Sequence, residues 1–341
     1  MSDLEIVAVD PFDAASFDPW HAAYAEAEAA DRGAGATIWQ LEELRAQMQD
    51  SGRRMWMAGW SGVVDNQVVT TGWIGTPLLD NLDRAGLAVT TIDGYRRCGH
   101  GSAMLAHVEQ VARDRGRRIL GGEAYWTYDA GPDGHGSPGG EFARAHGYDL
   151  ALGDIQRRLA LPVAEELLVE LGDEVAAHHA AYRLRSWVGP VPGDLLHDWA
   201  DIASSLMTEA PTGELDLEPE TADIDAVREN EALLTKQGRT KYHTVALGPD
   251  GRIAAYTDLV TTVHEPERAY QWGTLVRRSD RGHRLGLAVK VANLRQLQHE
   301  QPEITQLTTF NAEVNSHMIG VNERMGFVPV ERLGEFQKHL S

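Results

Sequence analysis

The chain has 341 residues, 43% of them hydrophobic and 24% charged, and its 51 acidic against 31 basic residues give a formal net charge of −20. The length exceeds the roughly 250–300 residues at which single cores stop growing, so two domains are expected. The acidity argues against nucleic acid, whose phosphates demand a basic footprint, and favours cationic partners such as amines, beside its plain role in solubility.

In chain order, Met1-Ser2-Asp3-Leu4-Glu5 lacks the basic and apolar regions of a secretory signal. Residues 5–9 read as a strand, and 17–31 and 37–50 as helices. Strand-like runs at 55–60 and 67–73 flank a turn at Asp65-Asn66, and a third run covers 87–92. The polar segment 93–101 then opens a helix whose Met104, Leu105, Val108, Val111 and Ala112 share one face. The only cysteine, Cys98, lies in that segment, which rules out an intrachain disulfide and makes a reducing, cytoplasmic location the expectation. Next come a strand at 118–126, a Gly/Pro-rich loop at 129–140 read as a mobile excursion, a short helix, and the pair Gly147-Tyr148 before a closing strand. A linker is expected near 161–171.

The second half begins with a strand at 181–188 and helices at 194–207 and 223–237, with Asp194 and Asp223 as helix starts. Strands at 243–247 and 252–261 surround the turn Gly248-Pro249-Asp250-Gly251, and a third strand spans 269–276. Residues 279–286 open a helix carrying Leu287, Val291, Leu294 and Leu297 at helical period. A strand at 304–311, a short helix, Gly326-Phe327 and a last strand complete the half. No stretch reaches the ~18 apolar residues of a membrane span.

The halves repeat one layout. Asp65 and Asp250 are 185 positions apart (250 − 65), and so are Gly101 and Gly286 (286 − 101). Gly147 and Gly326 are 179 apart (326 − 147), the first copy being longer by the Gly/Pro-rich loop. The expected boundaries are 1–163 and 164–341, and the expected class is α/β of the α+β type, each half a mixed, mostly antiparallel sheet flanked by helices.

Each polar loop between a strand and a helix has the local chemistry of an anion site. Glycine permits tight turns and close backbone approach, first-turn amides point outward, and arginine adds a charge-assisted donor. Neither loop reads as a Walker sequence or a dinucleotide fingerprint, so a nucleotide enzyme is not supported. By itself the pattern serves a phosphate or a mere turn. Its duplication favours a site.

Arg96-Arg97-Cys98-Gly99-His100-Gly101-Ser102 resembles the acyl-CoA loop of the GNAT acyltransferase superfamily, Gln/Arg-x-x-Gly-x-Gly/Ala. Arg281-Gly282-His283-Arg284-Leu285-Gly286 is the equivalent second loop, with Arg284 where glycine is expected, followed by Leu287 and Ala288. The stretch from Thr308 to Phe327 is similar to the family's closing strand–helix–strand. The tandem arrangement resembles that of mycothiol synthase and other actinobacterial members. The resemblance implies acetyl-CoA or another acyl-CoA as co-substrate, no metal, and direct N-acyl transfer through a ternary complex to a small-molecule primary amine. From the charge and the lack of a long apolar run, no nucleic acid or membrane partner is expected, and the chain is expected to be a monomer or homodimer.

Loop amides would hold the pyrophosphate, and the strand ends Thr91-Ile92 and Thr274-Leu275-Val276 the pantetheine. Asn311, Asn315 and Met318 would line the thioester region. The family's tyrosine acid, four residues before the Gly-Phe pair, is replaced by Asn322 in one copy and Ala143 in the other, so the proton donor lies elsewhere or is a water. Glu313, Asp258, His317 or a water relay are candidate bases; Glu313, Asp258 and Asn322 form the candidate catalytic set. Glu313 also reads as a solvated loop acid and Asp258 as a cross-strand partner. Glu123 and Tyr125 hold the corresponding strand of the first copy. The second copy, with the fuller closing segment, is expected to be the active one. The alternative is a catalytically degenerate tandem that binds acyl-CoA or a small molecule.

Overall fold

The computed structural model describes residues 3–30, 32–50 and 52–340. Contacts divide the chain into two compact units, one of Met1–Gly153, Glu214–Asp216 and Glu331–Ser341, the other of Asp154–Gly213 and Leu217–Val330.

The first unit is a mixed sheet in the order β1 (Glu5–Ala8), β2 (Met55–Val64), β3 (Gln67–Pro77), β4 (Arg84–Thr91), β5 (Ile119–Thr127) and β12 (Val328–His339). Only β4–β5 is parallel; the other pairs are antiparallel. The β2–β3 turn places Asp65 and Asn66 at φ 48° and 64°, as a tight hairpin of right-handed twist requires. Helix α1 (Ala14–Ala29) starts where the Asp13 carboxylate accepts the Ala15 amide, and it buries Phe17, Trp20 and Tyr24. Helix α2 (Leu41–Gln49) starts four residues later than the sequence suggests, at a reciprocal Gln40–Glu43 cap. Helices α3 (His100–Asp114) and α4 (Pro138–Ala145) close the core of Met104, Leu105, Val108, Trp126, Tyr148 and Phe336.

The second unit runs β6 (Asp149–Ala160), β11 (Gln306–Ala312), β10 (Arg268–Val276), β9 (Ile253–Thr262), β8 (Arg239–Leu247) and β7 (Arg183–Val188). Its single parallel pair is β10–β11. Helices α5 (Glu165–Ala176), α6 (Leu196–Ser204), α7 (Leu206–Glu209), α8 (Ile224–Lys236), α9 (Leu285–Glu300) and α10 (Ser316–Met325) cover it.

The closing strands are exchanged. β6 follows the first copy's Gly147-Tyr148 corner yet pairs with β11, while β12 follows Gly326-Phe327 and pairs with β5 from Glu331 to His339. The contacts therefore do not follow a single cut at 163/164. Nor is 161–171 a linker: Leu161, Val163, Leu168 and Leu171 are buried in the second unit, and α5 packs along α9. That packing also covers the outer face of α9, so Leu285–Val291 is buried throughout, where the sequence suggested a one-sided helix. The Gly/Pro-rich stretch is folded against the sheet: the Trp126 indole donates to the Gly131 carbonyl at 2.8 Å, and Ser137 caps α4. Asp223 does cap α8, but Asp194 pairs with Arg185 at 2.6 Å, and the expected helix at 194–207 is broken into α6 and α7 at Ser205.

Candidate functional site

In each unit the parallel strands separate beyond a short paired stretch. β4 and β5 pair from Arg84↔Ile119 to Gly86↔Gly121, after which both run on unpaired to each other, to Thr91 and Thr127. β10 and β11 pair from Arg268↔Gln306 to Gln271↔Thr309 and then part. Each cleft holds strand-edge backbone groups that a bound extended chain can pair with.

The loop at each cleft has one backbone design. A single 3₁₀ turn, Asp93–Tyr95 or Arg278–Asp280, leads to Arg96 or Arg281, both at φ −66°, ψ 155°. The Arg96 guanidinium donates to the Thr91 carbonyl at 3.1 Å, and Arg281 does the same to Val276 at 3.4 Å. Two left-handed residues follow, Arg97 and Gly99 in one loop, Gly282 and Arg284 in the other. Arg284 in place of the motif's first glycine is thus no loss of geometry, because it takes φ 54°, ψ 23° and still heads α9. The first turns of α3 and α9 present amides with no intrahelical acceptor.

Their surroundings differ. A Cβ on Gly101 would meet Phe142 of α4 at 3.5 Å, and Ser102 bonds His146 at 3.0 Å, so side chains stand at the first loop. A Cβ on Gly286 would meet only Val276, at 3.7 Å. Cys98 is exposed. The second loop is ringed by arginines: Glu209 holds Arg278 at 2.7 Å and Arg281 at 2.9 Å, and Glu174 holds both Arg284 and Arg324. Tyr182 donates to Asp280 at 2.9 Å and lies beside His283.

Inside the second cleft β10 bulges between Gln271 and Thr274. Asp258, 3% exposed, takes the Gly273 amide on one oxygen and Lys241 at 2.6 Å on the other. Thr274 bonds Thr257 at 2.7 Å, and Leu275 is buried. One carboxylate oxygen of Asp258 thus holds the bulge of β10 and the other a lysine of the neighbouring β8, as a cross-strand partner does. Trp272 is exposed, with Lys241 5.2 Å from its ring.

The sequence-picked residues of the closing segment converge there. Asn322, fully buried on α10, donates to the Asn311 side chain on β11, beyond its pairing with β10. Asn315 caps α10 by accepting the Met318 amide at 3.2 Å. Glu313 sits half-buried in the turn between them, and His317 is exposed on the first turn of α10. In the first unit Tyr125 donates to Glu123 at 2.8 Å beneath Arg32, which pairs with Glu28 and Glu331. Burial there raises the Glu28 carboxyl and the Tyr125 phenol.

Sequence reasoning passed over Lys290. It is fully buried on α9, its ammonium 5.5 Å from the Phe327 ring, and burial alone lowers its pKa to about 7. The signal was available: one lysine interrupts the apolar run Leu285–Val291.

A solved tandem GNAT protein from the clavulanic acid biosynthesis pathway matches this architecture with a TM-score of 0.78 at 26% identity, over 99% of this chain and 98% of that one. The chain has a tandem GNAT fold. A GCN5-related N-acetyltransferase from Sphaerobacter thermophilus matches at 14% identity (TM-score 0.66, 98% and 95% covered). So does the Saccharomyces cerevisiae N-myristoyltransferase solved with myristoyl-CoA, at 12% (0.61, 99% and 83%). No protein-family model matches the sequence, and no curated protein does. Among the described residues no helix is long and apolar enough to cross a membrane, and no group of three His, Cys, Asp or Glu could hold a metal ion.

Proposed function

We propose that the chain is an acyl-CoA-dependent N-acyltransferase whose second unit moves an acetyl or related acyl group directly to a small-molecule primary amine. The observation that carries this is the less crowded second loop, where a Cβ on Gly286 would meet only Val276, at 3.7 Å, beside the parting β10 and β11. Amides of Gly286 and Leu287 would take the pyrophosphate, with Arg281 and Arg284 beside them. The free edge of β10 at Thr274–Val276 would pair the pantetheine and bring the thioester to the bulge, where a backbone amide can meet the oxyanion. Glu313, or a water it holds, would take the proton of the amine. Phe142 and His146 at the first loop favour a supporting role for the first unit.

Calorimetry tests the binding step. Acetyl-CoA should bind the wild type and Gly101→Trp but not Gly286→Trp; the reverse would move the site to the first unit. Thiol release over a panel of amines tests transfer. Binding without release to any amine would favour a binding protein, the reading that Asn322 in place of an acid supports.

A further inference from the structure

Three buried polar side chains of the second unit lack what their chemistry requires. Among the described residues the Lys290 ammonium meets no carboxylate or carbonyl partner, and it lies 5.5 Å from the Phe327 ring. Asn293, one turn on along α9, is fully buried and leaves its amide oxygen unpartnered, although its nitrogen donates to the Tyr242 carbonyl at 2.9 Å. Asn322 likewise has an unpartnered oxygen while its nitrogen reaches Asn311.

The chain contains its own control. By the repeat spacing these positions correspond to Leu105, Val108 and Ala143 of the first unit, where hydrocarbon completes the core. The fold therefore needs no polar group at any of them. An unpaired buried amine is costly, and one retained only in the unit with the less crowded loop points to a ligand that relieves it. Phe327, whose ring the ammonium meets, donates its amide to the Asn322 carbonyl at 3.0 Å, and Asn322 donates to Asn311 where β11 has parted from β10. Lys290 is thus linked, through Phe327, to Asn322, the position where the resemblance places the acid that meets the thiolate.

We propose that Lys290 is the proton donor to the departing thiolate. This rests on the acyl-CoA reading of the second unit. As the amine nitrogen bonds to the carbonyl carbon, the carbon–sulfur bond breaks, its electron pair stays on sulfur, and an Nζ proton passes to it. The one proton the nitrogen releases, taken first by Glu313 or its water, returns from there to the Lys290 amine, so no outside acid is consumed. Burial by apolar neighbours, with no charged group contributing, brings the ammonium close to neutral pH, where transfer in both directions is fast.

The test needs no acceptor. Free CoA, bound to the intact chain, is titrated by its ultraviolet thiolate band. Bound to the wild type, the thiol should ionise at lower pH than in solution by roughly one unit or more, because the ammonium pairs with the thiolate. Lys290→Leu, which copies Leu105, should bind CoA within about threefold and lose that shift. Lys290→Arg should retain it. Binding with an unshifted thiol, or a shift unchanged in Lys290→Leu, overturns the proposal alone. No CoA binding to the wild type overturns it together with the acyl-CoA reading.

Discussion

At the residue scale, buried groups with displaced ionisation make the sharpest predictions. Lys290 holds its proton less tightly folded than unfolded, about 7 against 10.5. Between those values the unfolded chain carries the extra proton, so stability rises with pH through the window and the penalty is complete below about pH 7. Thermal melts should show Lys290→Leu more stable than the wild type at pH 7, with the gap closing toward pH 10; equal melting curves at pH 7 would contradict the burial. Asp258→Ala should cost about 2–4 kcal/mol in denaturant unfolding, since it strands Lys241 and the bulge amide of Gly273 together. Asp258→Asn, still able to accept the Gly273 amide, should cost less. Arg284 was legible as a departure from the loop pattern but not as a tolerated one. Glycine and arginine trade places between the two left-handed positions, and only backbone angles reveal the trade. Replacing Arg284 by glycine relieves about 1 kcal/mol of left-handed strain and loses an exposed pair worth about the same. Its denaturation midpoint should scarcely move.

At the scale of elements, features set by neighbouring residues were readable, and features set by distant ones were not. The Asp65-Asn66 hairpin, the Asp223 cap and both glycine-aromatic corners sit where their local chemistry puts them. Asp223→Ala should therefore cost about 1 kcal/mol, read by denaturant unfolding, with α8 fraying first in hydrogen exchange. Asp194 misled because Arg185, on a strand nine residues earlier, takes its carboxylate away from the helix end. The stretch 161–171 looked like a linker because Leu161-Pro162-Val163 breaks the pattern, yet its leucines complete a core built mostly from residues more than a hundred positions on. Of the candidate site, the loops and the Asn311–Asn322 segment were visible as motifs. Glu174 and Glu209, which anchor the loop arginines, come from helices far away in sequence and carry no local mark.

At the scale of the whole molecule, the exchanged closing strands were the largest feature missed. β6 and β12 follow similar helix–glycine–aromatic corners, so nothing near either strand says which sheet edge it will join. Register decides it: β12 supplies nine residues opposite β5, and Phe336 enters the first core. Removing residues 328–341 should leave Asp154–Gly213 and Leu217–Val330 resistant to limited proteolysis while the first unit is digested. Survival of both units would show that β5 holds without its partner.

The same exchange sets an order on biosynthesis. A ribosome completes everything the second unit needs by Val330, before it has made the strand that flanks β5. The half that is translated first is the half that is finished last, and until His339 emerges the apolar surface under Phe336 is a site where chaperones, or another nascent chain, can bind.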